Sequence, residues 1–269
     1  MRRLAILGTV VALVAMALPG SALAANPGAG TCSGGTMSAG TYSGFTVTGT
    51  CTIAFGANVQ INGDLTVTDG ASLNDHGAEA WKVAQIHITG DVKVGKGAVL
   101  GLGYNAAEGT LGPDTVGGNI VATQPWARQL GNVTVGGNVI SNGGGVLSTS
   151  IADFRNFPIK DNTIHGNLII QGWRGGWIGL IRNHVDGNVI FAKNVSLSNP
   201  ETGPGTDGDS SEVMGSDVSA IGGPIVPQTI GGNLICHGNV PAAHVNPGDF
   251  GAKNFVGGEA IGECAGLTQ

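Results

Sequence analysis

Val135-Gly-Gly-Asn-Val139 and Ile164-His-Gly-Asn-Leu168 share one pattern: an aliphatic residue, any residue, Gly, Asn or Asp, and a second aliphatic. Five further copies run along the chain: Ile61-Asn-Gly-Asp-Leu65, Ile88-Thr-Gly-Asp-Val92, Val116-Gly-Gly-Asn-Ile120, Val185-Asp-Gly-Asn-Val189 and Ile230-Gly-Gly-Asn-Leu234. Self-similarity on a scale of about 20–50 residues marks a repeat architecture. The motif glycines fall at 63, 90, 118, 137, 166, 187 and 232, with spacings of 27, 28, 19, 29, 21 and 45 residues. A coiled-coil or strict helical period does not vary like this. Some rungs therefore carry loops, and the last interval is expected to hold two rungs.

Register within the repeats is tight. Leu65 and Val67 map onto Val92 and Val94, and Gly70-Ala71-Ser72-Leu73 maps onto Gly97-Ala98-Val99-Leu100. Aliphatics alternate with other residues after each motif Gly, as in Leu65-Thr-Val67, Val92-Lys-Val94, Leu168-Ile-Ile170, Val189-Ile-Phe191 and Leu234-Ile-Cys236. A period of two is the strand signature. Gly beside Asn or Asp supplies a bend that can reach positive φ, so that one strand turns a corner into the next. Stacked copies form parallel sheets around an apolar interior. Asn119, Asn138, Asn167, Asn188 and Asn233 then stand at equivalent corners and can form a hydrogen-bonded ladder.

The expected fold is all-β: a single right-handed parallel β-helix of nine or ten irregular rungs, about 45 Å long at ~4.8 Å per rung. Phe45-Thr-Val47 and the alternation running to Ile53 supply its first rungs. Residues 25–42 are expected to cap it, and residues 43–269 to form the solenoid with a C-terminal cap. Residues 199–223, rich in Gly, Ser, Pro and Asp, read as a long loop across a broken rung.

The chain starts with a targeting pattern. Met1-Arg2-Arg3 is basic, residues 4–18 are almost uninterruptedly apolar, and Ala22-Leu23-Ala24 is a small-residue cleavage site. Residues 1–24 are thus expected to be a cleaved signal peptide and the product to be extracellular. The apolar run is short for a membrane span. Removing Arg2 and Arg3 from 12 basic residues leaves 10 against 18 acidic ones, a net charge near −8. This argues against nucleic acid and anionic membranes as partners. With 11% charged residues and 49 Gly lacking a G-X-Y period, the chain is neither a charged disordered tail nor collagen.

Cys32, Cys51, Cys236 and Cys264 form two local pairs at opposite ends of the mature chain. In an exported protein an even count favours disulfides. Pairing Cys32 with Cys51 and Cys236 with Cys264 closes both ends of a solenoid, whose terminal rungs otherwise expose its core. A four-sulfur zinc site lacks any C-x-x-C pair here.

These residues resemble known proteins. The Gly-Asn/Asp-aliphatic rungs, with Asn162-Thr-Ile164 and Asn183-His-Val185, resemble right-handed parallel β-helix proteins. With the leader, the end cysteines and the closing Gly262-Glu-Cys264, the chain resembles exported glycine-rich β-helix proteins of Gram-positive bacteria that carry no assigned activity. A weaker resemblance is to bactofilins, whose rungs polymerise end to end in the cytosol. Stapled ends oppose that, and a monomer is expected. The β-helix superfamily also includes pectin-degrading lyases and hydrolases, which makes a polysaccharide lyase or glycoside hydrolase the alternative function.

The chain has no Asp-Asp pair and no Arg-x-Lys, elements that a polygalacturonase-like site needs. The best ionisable constellation comes from stacking two rungs offset by 21 residues. Asp161 then lies over Arg182 and His165 over Asp186, with Lys160 adjacent. A His beside a carboxylate is a plausible acid/base pair. The competing reading is a solvated ladder of opposite charges that sets register. Asp207, Asp209 and Glu212 group three carboxylates that could hold Ca²⁺, without the spacing of an EF-hand. No other cofactor is suggested.

Trp173-Arg-Gly-Gly-Trp177 places two indoles on a glycine-flexed segment. Exposed rings of this kind stack on sugars, whereas rings folded back on the solenoid do not; Trp126 is open to the same two readings. Thr46, Thr48, Thr50, Thr52, Thr66 and Thr68 suggest a flat array of the type that binds ice. Later rungs do not continue it, and strand propensity explains these residues. The sequence thus points to an exported, non-catalytic surface or matrix module with polysaccharide or cell-wall material as its partner.

Overall fold

The computed structural model describes residues 27–75, 84–103, 113–145, 157–175, 178–196, 211–214, 227–245 and 253–269. Successive rungs stack short strands into three sheets, most rungs giving one strand to each, and every strand pairing is parallel. A ten-stranded sheet runs from Gly30–Cys32 to Ala260–Gly262. An eight-stranded sheet runs from Gly35–Met37 to Ser211–Met214, and a nine-stranded sheet from Gly40–Tyr42 to Phe255–Val256. The chain is a three-sided parallel β-solenoid with the stacking expected from the repeats. Residues 30–42, expected to cap the solenoid, instead supply one strand to each sheet and form the first rung.

The repeated motif is the corner from the nine-stranded to the ten-stranded sheet. Its first aliphatic ends one strand, as Ile164 ends Thr163–Ile164. Its last begins the next, as Leu168 begins Leu168–Gln171. Leu65, Val92, Ile120, Val139, Leu168, Val189 and Leu234 all point inward and are fully buried. The period of two supplies the core because successive side chains of a strand face opposite sides.

The motif glycines do not adopt positive φ, contrary to expectation. They are required by a close approach. A Cβ on Gly166 or Gly187 would lie 2.7 Å from the Oδ1 of Asn138 or Asn167 in the preceding rung. Positive φ belongs to the other two corners. Gln124, Gly143, Gly172, Lys193 and Gly238 adopt it on leaving the ten-stranded sheet, and Asn132, Asp161 and Arg182 on leaving the eight-stranded sheet.

An amide ladder runs along each corner. In the first, each Asx Oδ1 accepts the backbone N–H of its counterpart one rung on: Asp91 from Asn119 at 2.7 Å, Asn119 from Asn138 at 2.9 Å and Asn188 from Asn233 at 2.9 Å. Glu259 N donates to Asn233 Oδ1 at 2.8 Å, so Val256-Gly-Gly-Glu-Ala260 is an eighth copy of the corner, hidden in the sequence by its Glu. A second ladder links Asn162, Asn183, Gln228 and Asn254. A third links Trp173, Asn194, Asn239 and Glu263. These bonds satisfy corner groups that a buried turn would otherwise leave unpaired.

The 45-residue interval holds one rung, not two. Val189 pairs with Leu234 and His184 with Thr229, and Gly232 N donates to Gly187 O at 2.9 Å. The segment 199–223 is not wholly loop, because Ser211–Met214 within it pairs with Ile178–Ile181. Loop-closure entropy grows slowly with length, so an insertion of this size leaves the stacking intact.

Both disulfides form as paired from the sequence. Cys32–Cys51 joins the first rung to the second. Cys236–Cys264 ties Leu234–His237 to the closing 3₁₀ turn Glu263–Gly266.

Candidate functional site

The ionisable residues stacked on paper do meet, but as two separate groups. Arg182 and Asp161 sit at left-handed corner positions of adjacent rungs and bond in a bidentate fork, Nε to Oδ1 at 2.6 Å and Nη2 to Oδ2 at 2.7 Å. Both are largely buried, at 14% side-chain exposure. Planar two-point pairing fixes the offset between the rungs. Lys160 precedes Asp161, in register with Gly131 and Ile181.

The second group lies at the other end of the short strand His184–Val185. Asp186 Oδ2 is 2.7 Å from His165 Nδ1, and Asp186 Oδ1 is 2.9 Å from His184 Nε2. A carboxylate only accepts, so these ring nitrogens carry the protons. The His165 hydrogen bond, aided by both rings' charge, holds the Asp186 carboxyl below its usual range. All three side chains are about half exposed. A carboxylate held ionised on an open corner stabilises its neighbours and is a poor proton donor near neutrality.

Trp173 is completely buried, which corrects its assignment as a sugar platform. Its backbone N–H donates to Asn194 Oδ1 at 3.0 Å, and its ring fills the corner beside Gly145 and Gly175. Trp177, Asp207 and Asp209 lie outside the described residues. Glu212 lies in Ser211–Met214, opposite Gly179. The described residues contain no group of three His, Cys, Asp or Glu able to hold a metal.

The threonines divide between sheets. Thr31, Thr46 and Thr66 stack in one outward row of the ten-stranded sheet, while Thr50 and Thr52 face out from the eight-stranded sheet. In the ten-stranded sheet the row continues as Lys93, Val121, Ile140, Ile169, Ile190, Ile235 and Ile261. That row is therefore polar over its first four rungs and aliphatic over the rest.

A shallow groove of about 800 Å³ lies where that change occurs. Thr66, Thr68, Asp69, Lys93, Lys96, Thr123 and Gln124 supply its polar lining. Lys93 Nζ bonds Asp64 Oδ2 at 2.7 Å, and Asp69 Oδ1 accepts from Lys96 N at 2.8 Å. The Lys93 hydrogen bond lowers the Asp64 carboxyl, and the same bond raises the Lys93 ammonium. Each partner is held in its charged form. Trp126, two residues beyond Gln124 at the corner, is 38% exposed.

The groove escaped the sequence reading because its residues come from three rungs 27 and 28 residues apart and carry no motif. No protein-family model, no curated protein and no solved structure matches the chain.

Proposed function

We propose that this chain is an exported, non-catalytic surface or matrix module that binds polysaccharide along the groove of the ten-stranded sheet. The observation carrying the proposal is the groove's composition. It offers hydroxyls from Thr66, Thr68 and Thr123, the Gln124 amide, Lys93 paired with Asp64, Asp69 held by the Lys96 backbone N–H, and the exposed Trp126 indole two residues beyond Gln124. Sugars are bound by such polar groups together with an aromatic face. Lys93 and Asp64 stay charged, so the ion pair can donate and accept hydrogen bonds but is not poised to move protons. Export is supported by the leader pattern and by two disulfides that use all four cysteines.

The test is intrinsic Trp fluorescence of the mature protein titrated against neutral and acidic polysaccharides, with reducing ends and unsaturated products followed in the same samples. A fluorescence change without product supports the proposal. Trp126→Ala should then weaken binding about five- to tenfold, as expected for loss of one stacking contact. Product release in the wild type would overturn the non-catalytic reading in favour of a lyase or hydrolase.

A further inference from the structure

We propose that the aliphatic half of the ten-stranded sheet is the contact between two copies of this chain, packed face to face with the rungs running in opposite directions. Val121, Ile140, Ile169, Ile190, Ile235 and Ile261 occupy consecutive positions of one outward row, each hydrogen-bonded strand beside the next. The first five are half-buried by their neighbours, and Ile261 is 43% exposed. Six β-branched residues in register make an apolar ridge of about 24 Å at ~4.8 Å per step. A contiguous, partly exposed apolar row marks an interaction surface more often than scattered residues do.

The occupant follows from charge and symmetry. The chain is acidic overall, yet this row carries no charge after Lys93. It is flanked on one side by the Asn138, Asn167 and Asn188 ladder and on the other by Asn142 and Gln171, themselves bonded at 2.7 Å. An apolar strip between amide rows is complementary to another strip of the same kind. A regular row is also self-complementary about a twofold axis in the contact plane. With the axis crossing the row between Ile169 and Ile190, Ile169 of each copy faces Ile190 of the other, and Val121 faces Ile261. The first four rungs, with Lys93 and Asp64, then project beyond the partner's last rung. A parallel arrangement would set Lys93 against Lys93, and facing like charges oppose it.

Size sets the strength. Three outward rows about 13 Å across and 24 Å long give a footprint of roughly 300 Å² per copy, against ~800 Å² for a standard stable interface. The pair is therefore weak and reversible. This inference does not depend on polysaccharide binding, which uses the polar rungs.

Sedimentation velocity of the mature protein from about 10 µM to 1 mM tests it, with Ile169→Lys and Ile190→Lys as variants and Thr134→Lys, outward on the nine-stranded sheet, as control. Mean mass should climb toward twice the monomer in wild type and control. Both Ile variants should stay monomeric with unchanged circular dichroism. A wild type that remains monomeric at 1 mM overturns the proposal, as does a dimer that survives both substitutions together in a folded protein. In the first case the row serves strand packing alone. If polysaccharide binding fails while the concentration-dependent dimer is seen, the proposed function falls and this inference stands.

Discussion

Asn138 Oδ1 accepts two hydrogen bonds from Asn167 in the next rung, from its backbone N at 2.8 Å and its Nδ2 at 2.9 Å. The backbone bond explains why the corner takes Asp91 as readily as Asn, because either side chain supplies an oxygen. The amide bond explains why Asn dominates once the ladder is established, since only an amide also donates. Asn167→Ala should destabilise the protein by about 1–3 kcal/mol through the unsatisfied corner groups it leaves. Asn167→Asp keeps an acceptor for Asn188 N and should cost less. Urea unfolding of both variants checks the order, and equal losses would show that the oxygen is not the determinant.

Gly187 carries no positive φ, yet a side chain there would crowd its neighbours. A Cβ there would lie 2.7 Å from both Asn167 Oδ1 and Gly166 O. Gly56 has φ 71° and open space around it. Gly187→Ala should therefore cost about 1–3 kcal/mol from overpacking, and Gly56→Ala about 1 kcal/mol from conformation alone. Thermal unfolding that ranks Gly56→Ala as the worse of the two would contradict the close-approach account.

Arg128 is 1% exposed, points inward in register with Leu100, and its guanidinium has no hydrogen-bond partner among the described residues. Burial lowers its pKa to about 9. The native state thus disfavours the charged form, and folding carries that cost at every pH below 9. Stability should rise as the pH climbs through 9 toward the unfolded value. Arg128→Met should be more stable than wild type near neutrality, by about 1–4 kcal/mol, and should lack the alkaline rise. Denaturant midpoints at pH 7 and 9.5 test both points. A less stable Arg128→Met would mean that the guanidinium is satisfied.

Glu263 ends the third ladder, accepting from Asn239 N at 2.9 Å, Asn239 Nδ2 at 2.7 Å and Ala243 N at 3.3 Å. Partial burial pushes its carboxyl up, but the hydrogen bonds from Asn239, Ala243 and Gly238 outweigh this and leave it below the usual 4.5. The stabilisation is present above the unfolded pKa and is lost as the pH falls through the lower folded value. Glu263→Gln should therefore lower the melting temperature at pH 7 and converge with wild type near pH 3. A constant difference across that range would rule out the carboxylate as the source.

Each disulfide closes a short loop, of 19 and 28 residues. Replacing Cys236 and Cys264 together with Ser should cost about 3 kcal/mol on the loop-entropy account. The loss should be read by hydrogen exchange mainly in the last rungs, because each rung touches only its neighbours. Uniform loss of protection along the chain would show that the solenoid unfolds as one unit.

Much of this molecule was legible in the chain because its information is local. Period-two aliphatics, Gly-Asx corners and two nearby cysteine pairs act over a few residues or a single rung, and they sufficed for parallel stacking, the ladder and the staples. The 21-residue offset likewise placed Asp161 over Arg182 and His165 over Asp186. Other features depend on distances along the solenoid axis, which sequence spacing does not measure once rungs carry loops. Gly187 and Gly232 are neighbours although 45 positions apart, because strand pairing is indifferent to the length of loop outside it. Trp173 lies inside because it follows a left-handed glycine that turns it into the corner. The runs Leu168-Ile-Ile170 and Val189-Ile-Phe191 already forced their middle residues outward. That these align with Val121, Ile140, Ile235 and Ile261 into one ridge, and that Lys93 ends it beside a groove, follows from the cumulative register of ten stacked strands.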